Sequence, residues 1–362
     1  MENTFKLADS LQKQLHQIPE ASGCETKTKN CLIGFLKTES NLEIVDCGAW
    51  FYAAHREADA KEGMAFRADM DAVTGADSLP YHGCGHDGHS AVMAALAAST
   101  SGKRFGKNLF FLFQHAEETG AGAEECCAIF EKEKIDAIYG FHNCPGFPEG
   151  DILLLHDTFA CASRGVRLMF EGSQAHAAYP ENGSNPIFPM AAFFDQWQVM
   201  TDPAGYGGMV LATPVCLSAG SRSFGVAAGS GEIDLTLRAW RDADLEKLEA
   251  TVTDTAAVLA SRAGVSLNYT EQDVFPATVN DPALYKKAEA AAGNAGLRCQ
   301  VPAEPFRWSE DFGHYGAHCP AFFCGIGAGT DAAGLHTPDY QWNSGVTEAA
   351  IRLFSALIQM QI

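Results

Sequence analysis

The sequence has 362 residues, of which 47% are hydrophobic and 19% are charged, and its formal net charge is −20. This length predicts two domains with a sizeable core, and the acidic surface excludes nucleic acid and anionic membranes as expected partners. No apolar window is long enough to span a bilayer, and residues 1–20 lack the basic and apolar regions of a signal peptide. We therefore expect a cytoplasmic protein.

Helix and strand patterns alternate over the first 160 residues. Periodic or alanine-rich patterns predict helices over residues 5–16, over residues 26–39 and after His86. Short apolar runs followed by polar residues predict strands, buried on both faces, within residues 63–73, 107–118 and 134–143. Strands separated by helices predict an α/β sheet that is at least partly parallel.

Polar residues end each of these predicted strands. They are Asp69, the adjacent pair Glu117 and Glu118, and His142. Functional side chains gather at the carboxyl ends of the strands in such sheets, so we expect these residues at one edge of the sheet.

The pattern of predicted helices and strands changes near residue 162, and the earlier pattern resumes near residue 273. A strand–helix–strand–helix–strand order over about a hundred residues is enough for a small inserted domain. Asp242 or Asp244 is expected to cap its long helix, and Gly264 to end it. We predict a first domain of residues 1–161 and 273–362, and an inserted domain of residues 162–272.

The twelve cysteines are scattered, and we expect most of them to be reduced and structural. Cys84 is different because it lies with His86 in "YHGCGHDGHS". Thiolate and imidazole groups at alternate positions suit zinc, manganese or cobalt. Taken alone, however, such a triplet is more often a buried cysteine beside surface histidines.

The remaining candidates are also ambiguous when each is taken alone. In "QHAEETG", one of Glu117 and Glu118 could bind a metal while the other serves as general base, although an isolated pair is usually a solvated acidic loop. His142 follows an apolar run and could equally be a hydrogen-bonded core residue. His336 and His176 have the surroundings of ordinary surface or linker histidines.

The order of these segments along the chain is much more specific than any one of them. The segments are "LHQIPEASGCET", "FRADMDAV", "YHGCGHDGHSA", "FLFQHAEETGAGAEE", "GFHNCPGFPEG", "GSQAHAAYPENGSNPI", "WSEDFGHYG" and "GLHTPDYQWN". In this order they resemble the motifs of the M20 metallopeptidase family, and most closely those of its amidohydrolase branch of N-acyl-amino-acid, hippurate and auxin-conjugate hydrolases. The resemblance spans nearly the whole chain.

This resemblance implies a site with two divalent metal ions per subunit, which could be manganese, zinc, cobalt or nickel. The implied ligands, carried over motif by motif, are Cys84, His86, Glu118, His142 and His336. Glu117 then takes the role of general base. Asp87, His82 and His89 are expected to support the ligands rather than to bind metal.

The resemblance also implies the fold and the assembly. It implies a mixed-sheet α/β metallopeptidase domain with an inserted ferredoxin-like α+β domain that serves as lid and dimerisation domain. His176 matches the family histidine that stabilises the oxyanion from across a dimer interface, so we expect a homodimer.

The implied activity is hydrolysis of the amide bond of N-acyl amino acids, with a water activated by the metal ions and Glu117. A dipeptidase or aminopeptidase of the same fold is the alternative, and a non-catalytic ligand-binding homologue is a more distant one. Three departures from the family pattern affect the substrate site rather than the ligands. His115 replaces a proline beside the glutamate pair, Phe224 and Gly225 stand where the lid usually carries an asparagine, and the segment before "YHGCGHD" is short.

Overall fold

The computed structural model describes residues 1–361, which form alternating helices and strands. The helices are α1 Glu2–Leu15, α2 Thr26–Glu39, α3 His86–Thr100, α4 Gly122–Cys126, α5 Ile129–Lys132, α6 Ile187–Asp195, α7 Trp197–Met200, α8 Asp242–Arg262, α9 Pro282–Asn294 and α10 Ser344–Gln359. Short 3-10 helices cover Pro180–Asn182, Pro203–Gly205 and Asp311–Ala317.

The strands are β1 Glu43–Asp46, β2 Phe51–His55, β3 Gly63–Asp69, β4 Val73–Thr74, β5 Pro80–Tyr81, β6 Asn108–Gln114, β7 Ala137–Cys144, β8 Ile152–Leu153, β9 Asp157–Ala160, β10 Ala162–Glu171, β11 Val210–Ala219, β12 Ser230–Ala239, β13 Ser266–Phe275, β14 Thr278–Asn280, β15 Cys299–Gln300 and β16 Ala321–Gly327. The structure divides into two compact units. The first comprises residues 1–159, 278–305 and the described chain from 310 onwards, and the second comprises residues 160–277 and 306–309.

The first unit is built on an eight-stranded mixed sheet in the order β1-β2-β6-β3-β7-β16-β8-β15. Strands β6, β3, β7 and β16 run parallel to one another. The antiparallel pairs are β1 with β2, β2 with β6, and β8 with β16. Residues of β3 and β7 are buried along their whole length, as continuous apolar runs require. The predicted mixed α/β sheet is confirmed, and β7 continues two residues past His142 instead of ending there.

Helix α3 lies in the core of this unit and begins at the edge of the sheet. It is alanine-rich and almost entirely buried, so its backbone comes close to its neighbours. Gly85 precedes its first residue with φ +97°, and a Cβ there would lie 2.5 Å from the Tyr340 hydroxyl. Glycine therefore permits the turn that places Cys84 and His86 side by side.

The second unit is a four-stranded antiparallel sheet in the order β11-β12-β10-β13, with helices α6 and α8 among its connections. This order and the βαββαβ sequence of elements are those of a ferredoxin-like domain. Strand β11 has no counterpart in the sequence prediction, because only its first and third residues are buried. The apolar segment of residues 184–200, predicted as one helix, is divided into α6 and α7.

The predicted cap of α8 is wrong. The helix follows Arg241, and neither predicted side chain binds its first turn. Asp242 accepts a hydrogen bond from the Ala277 backbone at 2.8 Å, and Asp244 accepts one from Gly207 at 2.9 Å. Both carboxylates instead join α8 to neighbouring segments of the same unit. Gly264 adopts φ +66° just after the helix, as expected of a terminating glycine.

The described cysteines, twelve in number, are all free thiols. Among the described residues, no helix combines the length and the apolar character that crossing a membrane requires.

Candidate metal centre

The ends of neighbouring strands bring the predicted ligands together in the first unit. Cys84 lies between β5 and α3, and His86 is the first residue of α3. Glu118 follows β6, His142 lies near the end of β7, and His336 is in the loop before α10. Strands β6 and β7 both flank β3 in parallel, so their carboxyl ends lie at the same edge.

The five side chains form two groups that share one sulfur. Cys84 Sγ lies 3.4 Å from Nε2 of His142 and 3.3 Å from Nε2 of His336. Glu118 Oε1 lies 3.5 Å from Nε2 of His336 and 3.6 Å from Nε2 of His86. Within each of the sets Cys84–His86–His142 and Cys84–Glu118–His336, the ligand atoms are all within 4.8 Å of one another. The Cys84 sulfur is common to both sets and could therefore serve as a ligand in either.

Two buried atoms in this cluster have no hydrogen-bond partner in the described structure. They are His86 Nε2 and Glu118 Oε1, which face one another. His86 Nδ1 lies 3.0 Å from Oδ1 of Asp71, and a carboxylate only accepts, so Nδ1 carries a proton and Nε2 can present a lone pair. Two acceptor atoms that face one another in the interior need a proton or a cation between them. A cation bound between them would satisfy both, so the residues present fit a metal ion.

The pKa of His86 indicates that a metal ion would displace a proton from its ring. Burial lowers the pKa of His86, but Asp69 and Asp71 outweigh it and raise this pKa to about 10. Without a cation, Nε2 therefore also carries a proton at neutral pH. Because a metal binds only the neutral ring, we expect metal binding to release this proton.

Buried carboxylates surround the same cluster. They are Asp69, Glu117, Glu310 and Asp311, and the carboxylate of Glu118 within the cluster is itself partly buried. Arg67, itself fully buried, pairs with three of them at 2.7 to 2.9 Å. One guanidinium cannot balance this negative charge.

Burial and neighbouring negative charges raise the pKa of several of these carboxyls. Burial raises the pKa of Glu310 to about 8 and that of Asp311 to about 6. Burial, with the charges of Glu310 and Glu118, also holds the pKa of Glu117 well above its usual range. Two divalent cations would supply the compensating charge and allow these groups to ionise.

Glu117 lies beside the predicted ligands. Its side chain is buried, and Oε2 lies 3.8 Å from Nε2 of His86. Glu118, the next residue, presents its carboxylate to both His86 and His336. Both glutamates therefore lie near Nε2 of His86, and Glu118 lies near His336 as well.

The three residues of the motif "YHGCGHDGHS" that were expected to support the ligands hydrogen-bond to protein groups. His89 Nδ1 lies 2.8 Å from Oδ1 of Asp69, and its Nε2 lies 2.7 Å from Oδ1 of Asn143. Nε2 of His82 lies 3.1 Å from the Leu15 carbonyl oxygen.

Asp87 makes the corresponding contacts with residues at the end of α1. Its Oδ2 accepts from the Gln12 amide at 2.8 Å and lies 2.7 Å from His16 Nδ1. These contacts join "LHQIPE" near the N-terminus to the turn that carries Cys84.

Four other residues that the sequence motifs pointed to lie outside the cluster: His115, His176, Phe224 and Gly225. His115 is buried, with Nε2 3.1 Å from a carboxylate oxygen of Glu125. His176 belongs to the second unit, where it is exposed and its Nδ1 accepts from the Ala178 backbone at 3.0 Å. Phe224 is fully exposed, and nothing lies within 4 Å of a Cβ built on Gly225.

Sequence reasoning assigned no role to several residues that support the cluster. Asp71 contacts His86, Arg67 pairs with the carboxylates, and Glu310 and Asp311 follow the loop at residues 306–309. These residues lie in the segments "FRADMDAV" and "WSEDFGHYG", where charged residues adjoin apolar ones. The segments alone do not reveal the contacts, because the partners are distant in sequence.

Comparison with known proteins agrees with this α/β fold. A sequence profile described as peptidase family M20/M25/M40 matches residues 65–360. An N-acetyldiaminopimelate deacetylase of Exiguobacterium sibiricum is 26% identical over 353 residues, which cover 92% of this chain and 94% of the relative. An uncharacterised hydrolase of Staphylococcus haemolyticus is 26% identical over 359 residues, covering 92% and 93%.

Solved structures share the fold over nearly the whole chain. A dinuclear metal binding peptidase from the M20 family, the YxeP protein of Bacillus subtilis, superposes with a TM-score of 0.83 at 22% identity, covering 99% of this chain and 98% of that one. An aminobenzoyl-glutamate utilization protein from Klebsiella pneumoniae has a TM-score of 0.76 at 18% identity, covering 99% and 98%.

The fold and the ligand cluster define a metal-dependent hydrolase. The chain belongs to peptidase family M20/M25/M40, because the family profile matches most of its length. The resemblance inferred from the sequence motifs is thereby confirmed.

Proposed function

We propose that this enzyme is a dinuclear metal-dependent amidohydrolase that removes the acyl group from an N-acyl amino acid. The observation that carries the proposal is the sulfur of Cys84, shared by two ligand sets, beside the buried carboxyl of Glu117. The name of the Exiguobacterium relative, a deacetylase of an N-acetylated amino acid, supports the same bond and the same kind of leaving group.

The ligands in this proposal divide between two cations. Cys84, His86 and His142 would hold one ion, and Cys84, Glu118 and His336 the other. When bound, the two ions would polarise the amide carbonyl and make water more acidic. Thiolate, carboxylate and imidazole accept several divalent metals, among them zinc, manganese, cobalt and nickel.

Glu117 is the proposed general base and acid. Its carboxylate would accept a proton from the attacking water, and the resulting carboxylic acid would donate that proton to the nitrogen of the leaving amine. Its burial suits both steps, because bulk water cannot exchange the proton between them. Positive charge bound nearby would lower the raised pKa of Glu117 and so favour the carboxylate that acts as the base.

His176 is the proposed donor to the developing oxyanion. It is exposed on the second unit, which we propose to be an inserted lid and dimerisation domain. The edge strand β11 of that unit exposes Leu211, Val215 and Leu217, an apolar surface that suits association with a second copy. His176 would then act either within its own chain or from the partner subunit.

We also propose that the enzyme is cytoplasmic. Free thiols at all of the described cysteines suit a reducing compartment.

The proposed function can be tested with a panel of substrates. Metal-stripped protein is reconstituted separately with manganese, zinc or cobalt and assayed on N-acetyl amino acids, N-benzoyl amino acids and dipeptides. Metal-dependent release of the amino acid from acylated substrates is the expected result, and Glu117→Gln loaded with the same metal is the control. Cleavage of dipeptides alone would favour the dipeptidase or aminopeptidase alternative. A protein that binds metal but cleaves nothing in the panel would contradict the proposal and favour a ligand-binding homologue.

A further inference from the structure

The segment between α1 and α2 contacts the loop that carries the glutamate pair. Glu25, only 4% exposed, accepts a hydrogen bond from the Ala116 backbone N–H at 2.8 Å. The same oxygen, Oε1, accepts a second bond from the Gly23 N–H at 2.9 Å. This side chain therefore joins two backbone segments that are 91 residues apart in sequence.

Ala116 has an unusual backbone conformation directly before Glu117. Its φ is +49°, in the left-handed region that a residue with a Cβ rarely adopts. Such a conformation persists only where the surroundings hold it. Glu25 holds the backbone N–H of Ala116. After Glu117 the loop is closed by a hydrogen bond from the Gly120 N–H to the Glu117 carbonyl oxygen at 2.8 Å.

A second contact of the same segment leads to the ligand cluster. Ser22 donates its hydroxyl to Oδ2 of Asp71 at 2.7 Å, and this oxygen also accepts from the Glu118 N–H at 3.0 Å. The residues on both sides of Glu117 are thus bonded to groups that the N-terminal segment holds.

We propose that Glu25 is a positioning residue that holds Ala116 in its left-handed conformation and thereby aims the Glu117 carboxylate. This inference rests on the proposed role of Glu117 as base, and it adds a function for the "PEASGCE" part of the N-terminal motif. Glu25 acts through the backbone and touches no reacting atom.

The role requires an acceptor oxygen rather than a negative charge. One oxygen of Glu25 takes both backbone bonds, and a carboxamide oxygen has the same two lone pairs. Burial raises the pKa of Glu25, and the protonated carboxyl also keeps a carbonyl oxygen that can accept. Glutamine and methionine variants at residue 25 are therefore a matched pair, similar in length and differing in the acceptor.

The experiment compares Glu25→Gln, Glu25→Met and Glu25→Ala in the full-length protein. Steady-state kinetics with reconstituted metal should give kcat within about threefold of the wild type for Glu25→Gln. For the two variants without an acceptor, kcat should fall about 10- to 100-fold, with KM and metal content nearly unchanged. Glu20→Ala is the control, because Glu20 binds backbone N–H groups of α2 and not the glutamate loop. It should leave kcat unchanged.

A second readout does not depend on activity. Amide hydrogen exchange, measured by mass spectrometry on metal-free protein, should become faster in the peptide containing Ala116 for Glu25→Met but not for Glu25→Gln. This comparison tests the contact even if no substrate in the panel is cleaved, which would contradict only the proposed function. Unchanged exchange in Glu25→Met would overturn the inference. Equal losses of kcat in Glu25→Gln and Glu25→Met would also overturn it, since charge would then be the requirement.

Discussion

Oδ1 of Asp71 lies 3.0 Å from Nδ1 of His86, and this contact decides which nitrogen of the histidine faces the ligand cluster. The other oxygen of Asp71 accepts from Ser22 and from the Glu118 backbone, so one carboxylate orients two proposed ligands. Both residues are buried, which leaves water little access to compete for these bonds. Outer partners of this kind set the ring orientation and the basicity of a metal-binding histidine.

We therefore expect Asp71→Ala to weaken metal binding about 10- to 100-fold. Asp71→Asn, which keeps an acceptor oxygen for His86, should weaken it less. Calorimetric titration of metal-stripped protein with zinc or manganese measures both values. Equal affinity in the wild type and Asp71→Ala would show that the cluster does not depend on this contact.

The two adjacent glutamates should respond differently to the same substitution. Glu117→Gln removes the proposed base, so turnover should fall at least about 10²- to 10⁴-fold while the bound metal per subunit stays the same. Glu118→Gln removes a proposed ligand, so it should lower metal content as well as activity. Elemental analysis of both variants after identical reconstitution gives the comparison. Metal loss in Glu117→Gln with full retention in Glu118→Gln would reverse the two roles.

The stability of the metal-free protein should fall as the pH rises from about 5 to 8. Burial raises the pKa of Glu310 to about 8 in the folded state, whereas an unfolded glutamate titrates near about 4.3. Between these values the folded state binds more protons, so the free energy of unfolding decreases with pH. The raised pKa values of Asp311 and, above about pH 6.5, of His86 act in the same direction.

Urea unfolding at several pH values in the presence of a chelator measures this slope. Glu310→Gln should make it shallower, because the variant has one proton-binding group fewer in the cluster. Adding metal should also make it shallower, since bound cations compensate the carboxylates. A slope of the opposite sign would mean that these carboxyls are ionised in the folded protein without metal.

Mixing two inactive variants can decide how His176 acts. His176→Ala should lower kcat strongly while metal content is retained. If the histidine serves the partner's site, a mixed dimer of His176→Ala and Glu117→Gln contains one complete site. A statistical mixture then recovers up to about a quarter of wild-type activity. Mixed dimers that are confirmed by mass spectrometry but recover nothing would place His176 within its own chain or outside the mechanism.

Much of the fold could be predicted from local patterns. The runs that form β3, β6 and β7 are continuous and apolar because both faces of these strands are buried. The helix predicted over residues 26–39 is α2, with the same bounds. Strand β11 was missed because most of its side chains are exposed, so its residues show no alternation. The α8 cap was misassigned because tertiary partners hold both aspartates.

The sequence by itself determined the family and the order of the proposed ligands, since each short motif keeps its residue types in consecutive positions. Only the tertiary structure decided which distant groups meet. Arg67 pairs with Asp311 across 244 residues, and Cys84 meets His336 across 252. Local periodicity reports which face of an element is buried, but it carries no information about the partner across that face. The supporting contacts of Asp71, Arg67 and Glu25 therefore became apparent only when the strands and loops were brought together.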